Sequence, residues 1–226
     1  MAAGGPLAVA LREQGTSRSF KRGTALFSEG DVADRVFLIE HGWVTLRIAT
    51  PAGGEVILGL WGPGDIVGEL SALDSEPRTA TALAVDEVEA VVAPASAWRA
   101  MLERDPELAG ELLRLLAVRL RHSNRQRLEF AMLDCLGRVA LRLLELAERF
   151  GEPGKEGIRI ELPLSQEQLA SWCGCSREAT VKALRTLREV ADITTGRRTD
   201  ATRSAPGEQE EEAPPAKLRL SRSASA

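Results

Sequence analysis

Between Phe20 and Pro94 the chain is interrupted by glycines at intervals of about eight to twelve residues, and the runs between them are short and rich in Val, Ile, Leu and Phe. RVFLIEHG, WVTLRIATPAGG, EVILGLWGPGD and VEAVVAP alternate with turns at Gly23, Gly30, Gly42, Gly53, Gly54, Gly62, Gly64 and Gly68. Short strands at that spacing predict an all-β region, an antiparallel sandwich or barrel of the jelly-roll kind.

After Pro94 the texture changes. For about fifty residues the pattern is helical, with Pro106 just after Asp105 as a helix start. Leu108, Leu112, Leu115, Leu116 and Leu120 follow at three- and four-residue steps, an apolar stripe on a helix too long for a small domain to cover. Such a stripe predicts pairing with a second copy in a two-fold dimer, packing on the β-region alone being the alternative. Gly137 is expected to mark a joint before a second helix, Arg138 to Phe150.

Composition narrows the function classes. A chain of 226 residues, 44% hydrophobic and 27% charged, has ample core for one large or two modest domains. A formal net charge of −4 argues against indiscriminate coating of nucleic acid but permits a basic surface on one domain. No apolar run has the length of a membrane span and the N-terminus lacks a leader pattern, so a cytoplasmic protein without membrane contact is expected. Cys135, Cys173 and Cys175 are too few for a disulfide framework or a four-thiolate cluster. With His41 and His122 far away in sequence, no metal site is expected, and core packing is the expected role of the thiols. The same poverty of nucleophile–base pairs and metal clusters argues against an enzyme.

Two short stretches carry chemistry. In LSQEQLASWCGCSREATVKAL, Ser165 and Gln168 can form a capping box, Gly174 permits a turn and Ser176 caps the next helix. Leu169, Ala170, Val181, Leu184 and Leu187 are expected to be buried, leaving Arg177, Glu178, Lys182, Arg185 and Arg188 outward. That is the grammar of a helix-turn-helix, whose second helix presents Arg to guanine and Glu to cytosine. Six basic residues face three acidic ones from Ser171 to Arg198, and TTGRRT is expected to be a hairpin turn offering Arg197 and Arg198 to phosphate. In GELSALDSEPRTA, Glu69 and Arg78 are costly to bury alone. Either they meet each other across the turn or both await a small anionic ligand.

Together these stretches resemble the cyclic-AMP receptor protein (Crp–Fnr) family of bacterial transcription regulators, from about Phe20 to Thr199. The first looks like that family's helix-turn-helix, the second like the phosphate-binding cassette of cyclic-nucleotide domains. The resemblance implies an α+β chain. After a tail at 1–19 come an N-terminal cyclic-nucleotide-binding β jelly roll (20–100), a long dimerisation helix (101–136), a C-terminal winged helix-turn-helix (137–199) and an atypical, disordered tail (200–226). Arg78 then forks onto the cyclic phosphate with Thr79 beside it, Glu69 accepts from the ribose 2′-hydroxyl, and the turn from Gly68 through Leu70 aims N–H groups at the phosphate. Ser123 and Asn124 fall where cyclic-AMP-binding members contact the adenine. Ser176, Arg177, Glu178, Lys182, Arg197 and Arg198 carry the DNA contacts. The implied ligand is cyclic AMP, an allosteric effector and not a catalytic cofactor. The implied partners are a second copy, palindromic double-stranded DNA and RNA polymerase.

The sequence also departs from the family. DATRSAPGEQEEEAPPAKLRL follows TTGRRT without the expected second wing strand, Ala191–Asp192 replace a usual Gly-Leu, and Lys182 stands where relatives often have Arg. A change of reading frame near Thr199 would produce such a tail. Two alternatives stay open: the same architecture answering another ligand or none, and a nucleotide-binding dimer whose altered wing impairs DNA binding.

Overall fold

The computed structural model describes residues 5–51, 53–154, 157–161, 164–190, 193–197 and 216–220. The chain forms two compact units, Met1–Arg127 and Leu128–Ala226.

The first unit is a β-sandwich flanked by helices. Strands β1 (Thr16–Phe20), β2 (Ala25–Phe27), β3 (Arg35–His41), β4 (Val44–Ala49), β5 (Glu55–Trp61), β6 (Ile66–Val67), β7 (Thr81–Ala84) and β8 (Val88–Pro94) build two antiparallel four-stranded sheets, ordered β1-β8-β3-β6 and β2-β7-β4-β5. The alternation along β3 explains its unbroken apolar run. Phe37 and Ile39 face the opposing sheet with Val44, Ala82 and Ala84, while Val36 and Leu38 face helices. A sheet buried on both faces reads as a continuous apolar stretch and not as a period of two.

Helices cover that second face. Leu7 and Leu11 of α1 (Pro6–Gln14), Ala72 of α2 (Glu69–Asp74), Trp98 of α3 (Ala95–Arg104), and Leu108, Leu112 and Leu115 of α4 (Pro106–Met132) form one core with Val36, Leu38 and Ile66. The tail expected over 1–19 is therefore corrected: 6–14 are helix and 16–20 an edge strand. Leu7 and Leu11 are 0% exposed, each contributing about 1.5–3 kcal/mol of burial. The Leu7 N–H donates to Glu111 Oε2 at 2.8 Å, and Arg12 pairs with Glu40 at 2.8 Å. The long helix is also redrawn, since 101–104 end α3 and α4 starts afresh after Asp105, whose carboxylate caps Glu107 N–H at 2.9 Å.

In the second unit, α5 (Cys135–Phe150), α6 (Gln166–Cys173) and α7 (Arg177–Val190) bury Val139, Leu143, Leu146, Leu169, Trp172, Leu184 and Leu187. The joint lies at Leu133–Asp134, ahead of the expected Gly137, whose N–H is accepted by the Asp134 cap at 2.9 Å. Arg142 is 4% exposed and holds the carboxylates of Glu129 and Glu145. Strands β9 (Glu152–Gly154), β10 (Gly157–Glu161), β11 (Ile193–Arg197) and β12 (Ala216–Leu220) form a sheet ordered β11-β12-β10-β9. This corrects two expectations. TTGR is strand and not turn, and the segment expected to be a disordered tail contributes β12, which pairs Ile193 with Leu220 and Arg197 with Ala216. Arg198 and Ala191–Asp192 lie outside the described residues. Among those described, no helix is long and apolar enough to cross a membrane.

Candidate functional site

Glu69 and Arg78 are both 3% exposed, and they do not meet. Each is anchored separately. Gly68, in the left-handed region at φ 78°, turns the chain from β6 into α2. A Cβ there would lie 2.7 Å from Arg78 Nη1, so only glycine admits both the backbone conformation and the guanidinium. Arg78 Nη1 donates to Gly68 O at 2.8 Å and Nη2 to Arg35 O at 2.5 Å, with the Phe27 ring 4.3 Å from the guanidinium carbon. Its Nε has no partner among the described residues. The loop before β3 fixes the Arg78 backbone, because Gly30 N–H donates to Arg78 O and Arg78 N–H to Asp31 O.

Arg78 is thus a buried cation on neutral carbonyls, with no carboxylate in contact. Burial lowers its pKa, and Asp34, Asp31 and Glu69 act the other way from a distance. A buried guanidinium with a spare donor can take an anion as its counter-charge.

Glu69 opens α2 and pairs with Arg119 of α4, whose Nη2 also donates to Ile66 O at 2.6 Å. The site's surroundings are tied down as well: Ser71 Oγ donates to Pro77 O at 3.1 Å, and Arg99 Nη1 to Ala72 O at 2.7 Å. Leu70 and Thr79 are exposed beside this buried pair of charges. On α4, Ser123 is half-buried one turn beyond Arg119 and Asn124 is exposed. Among the described residues neither side chain hydrogen-bonds to the cassette. Arg119 is the residue sequence reasoning missed. It continues the spacing Leu108, Leu112, Leu115, and a charge on a buried stripe demands a buried counter-charge.

In the second unit the caps fall where expected. Ser165 accepts from Gln168 N–H at 3.1 Å while Gln168 Oε1 accepts from Ser165 N–H at 2.8 Å. Gly174 takes φ 61° at the turn, and a Cβ there would strike Phe130 at 2.6 Å. Ser176 Oγ accepts from Ala179 N–H at 3.1 Å. Arg177, Glu178, Lys182, Arg185 and Arg188 are all exposed. Val181 is corrected: it is 42% exposed, and Thr180 takes the core place, its hydroxyl donating to Ser176 O at 3.0 Å. The Glu178 carboxyl is held below its ordinary range by its own N–H, the Ser176 hydroxyl and Arg177. Arg197 belongs to β11.

This geometry coincides with known families. Residues 17–105 match the cyclic nucleotide-binding domain, and residues 137–202 the Crp-like helix-turn-helix domain. The chain is 41% identical over 175 residues to a CRP-like cAMP-activated global transcriptional regulator of Mycobacterium tuberculosis, covering 77% of this chain and 78% of that one. It is 31% identical over 188 residues to the cyclic AMP receptor protein of Thermus thermophilus, covering 83% and 84%. The structure of FixK2 from Bradyrhizobium japonicum superposes with a TM-score of 0.74 at 22% identity, over 91% of this chain and 92% of that one, a likeness of fold. With a cyclic nucleotide-binding domain followed by a DNA-binding helix-turn-helix, the chain belongs to the Crp–Fnr family of bacterial transcription regulators.

Proposed function

We propose that this protein is a cytoplasmic, dimeric regulator that binds cyclic AMP in its β-sandwich and palindromic promoter DNA through α7, acting on transcription with RNA polymerase as partner. The observation that carries the ligand reading is Arg78, buried on carbonyls with Nε unpartnered beside a glycine-forced turn. A cyclic phosphate supplies the anion, with Thr79 at the rim. The ribose 2′-hydroxyl donates to Glu69, which already shares its charge with Arg119. Gly68 and Leu70 offer backbone N–H groups.

The dimer reading rests on α4. The stripe expected to pair with a second copy is corrected: Leu108, Leu112, Leu115 and Leu116 pack within the first unit, whereas Leu113 at 68% and Leu120 at 62% are exposed. Leu113, Ala117, Leu120 and Asn124 follow at 4-3-4 spacing, the seam of a two-stranded coiled coil, on which Asn124 is the polar member. A seam ending at Ser123 and Asn124 brings adenine contacts to the subunit boundary. Ligand then shifts the dimer between two states by its differential affinity for them. On DNA, Arg177 and Glu178 meet base edges from the first turn of α7, Ser176 and Lys182 support them, and Arg197 and Arg198 lie along phosphate.

Calorimetric titration of the purified protein with cyclic AMP, and in parallel with cyclic GMP, tests the ligand. Saturable binding that prefers cyclic AMP is expected, and Arg78→Ala removes it. Heat-silent titrations with both nucleotides, in a folded protein, contradict the proposal.

A further inference from the structure

The second unit gathers all three cysteines around the turn between α6 and α7. Cys173 ends α6, Cys175 precedes the cap Ser176, and Cys135 is the first residue of α5. Arg138 spans the group: Nη1 donates to Leu133 O at 2.8 Å, Nε to Cys173 O at 2.9 Å, and Nη2 to Gly174 O at 3.3 Å and Cys175 Sγ at 3.5 Å. Cys135 lies one turn before Arg138 on α5, so the residue that donates to Cys175 Sγ also sets the first turn of α5 beside it, and the Cys135 thiol interacts with Cys175 and with Thr180 of α7. Both are part-exposed, while Cys173 is buried. Among the described residues no group of three or more His, Cys, Asp or Glu is placed to hold a metal ion.

We propose that Cys135 and Cys175 form a redox-active thiol pair whose reversible disulfide ties the start of α5 to the entry of the recognition helix and weakens DNA binding. The three thiols have different roles. Burial, then its interaction with Cys175, pushes the Cys135 thiol up to about 11. Burial pushes the Cys173 thiol up to about 12. Cys175, whose Sγ accepts from the Arg138 guanidinium at 3.5 Å, is the first nucleophile and Cys135 the resolving thiol.

The oxidant is a hydroperoxide. Cys175 sulfur attacks one peroxide oxygen, the O–O bond breaks, and hydrogen peroxide leaves a sulfenic acid and one water. Cys135 sulfur then attacks Cys175 sulfur. The S–S bond forms, the S–O bond breaks, and the hydroxyl leaves as a second water with the Cys135 proton. Two thiols and one hydrogen peroxide give one disulfide and two waters, and a dithiol reductant reverses the change by exchange.

The structural consequence follows from bond length. A disulfide holds its sulfurs about 2.05 Å apart, which draws Cys175 Sγ off Arg138 Nη2 and off Cys173 O, its acceptor at 3.5 Å. Ser176 is the next residue. Its hydroxyl caps Ala179 and its carbonyl accepts from Thr180, so the first turn of α7, with Arg177 and Glu178, moves with it.

The test uses the full-length wild-type chain treated with hydrogen peroxide and mapped by non-reducing peptide mass spectrometry. The expected result is a linked peptide joining Cys135 to Cys175, absent after dithiothreitol and retained in Cys173→Ala. Affinity for a duplex enriched from random-sequence DNA by the reduced protein is expected to fall about fivefold on oxidation, the size of losing a helix cap. Cys135→Ala and Cys175→Ala, tested separately, lose both the linkage and the sensitivity to peroxide, so either one alone suffices if the other misfolds. No linked peptide, linkage through Cys173 or between chains, or linkage with unchanged affinity overturns the proposal. The mapping arm does not depend on the DNA reading, so failure of one is distinguishable from failure of the other.

Discussion

Arg78 and Arg177 carry the same guanidinium, yet Arg78 is 3% exposed among backbone carbonyls while Arg177 stands in solvent on the first turn of α7. The first unit takes its charges out of water and fixes them: Glu69 on Arg119, Arg78 on Gly68 and Arg35. The second leaves its basic face hydrated, with Arg185–Glu189 at 3.3 Å an exposed pair worth little. The difference matches the two kinds of partner. A small anion is recognised by a few strong, desolvated donors held in one geometry. A polyanionic duplex is met by side chains that keep rotamer freedom until they find base edges and phosphates. Mutations should therefore be severe and local in the first unit and graded in the second.

The largest effect is expected at Arg78. Each hydrogen bond to a charged group is worth about 1.5–3 kcal/mol, so Arg78→Ala should weaken cyclic-nucleotide binding by a hundredfold or more, roughly, in titration. Unchanged affinity breaks the contrast at its strongest point. Next is Arg119→Ala, which strands Glu69 in the interior. Fully buried pairs cost about 3–5 kcal/mol when one partner is removed; with the Arg119 side chain 27% exposed, roughly 2–3 kcal/mol of stability is expected in urea denaturation. In a Glu69→Gln background most of that loss should vanish, and simple additivity contradicts the pairing.

Arg177→Ala sharpens the other side. It should cost roughly 1–3 kcal/mol on selected DNA and little on random DNA. An equal loss on both makes Arg177 a phosphate contact and not a base reader. The smallest expected effect is Ser176→Ala, about 1 kcal/mol of stability through the lost cap on Ala179, read as a lowered melting temperature.

The same contrast decides what could be read from sequence. Gly68, Glu69 and Arg78 were legible because a turn and two charges sit within one short stretch, and the capping residues Ser165, Gln168, Gly174 and Ser176 because caps are local. Arg119 was not, since the basic run RLRHSNRQR hides one half-buried cation among exposed arginines. Only its place after Leu108, Leu112 and Leu115 separates it from them. Helix α1 is nine residues with no side-chain cap, and its stability comes from Leu7 and Leu11 in a core built elsewhere. Strand β12 shows a period of two only over Lys217–Leu220, and its partners β10 and β11 are distant in sequence. Val181 lost its expected place to Thr180, whose hydroxyl is satisfied by the preceding turn, so polarity did not exclude burial.

The most direct test of the central claim is the affinity of the wild-type protein for its selected duplex, titrated with and without saturating cyclic AMP. If ligand in the β-sandwich biases the state that reads DNA, cyclic AMP tightens binding by about 5- to 150-fold, the range of ordinary allosteric coupling. Identical affinities in a protein that does bind cyclic AMP contradict that coupling.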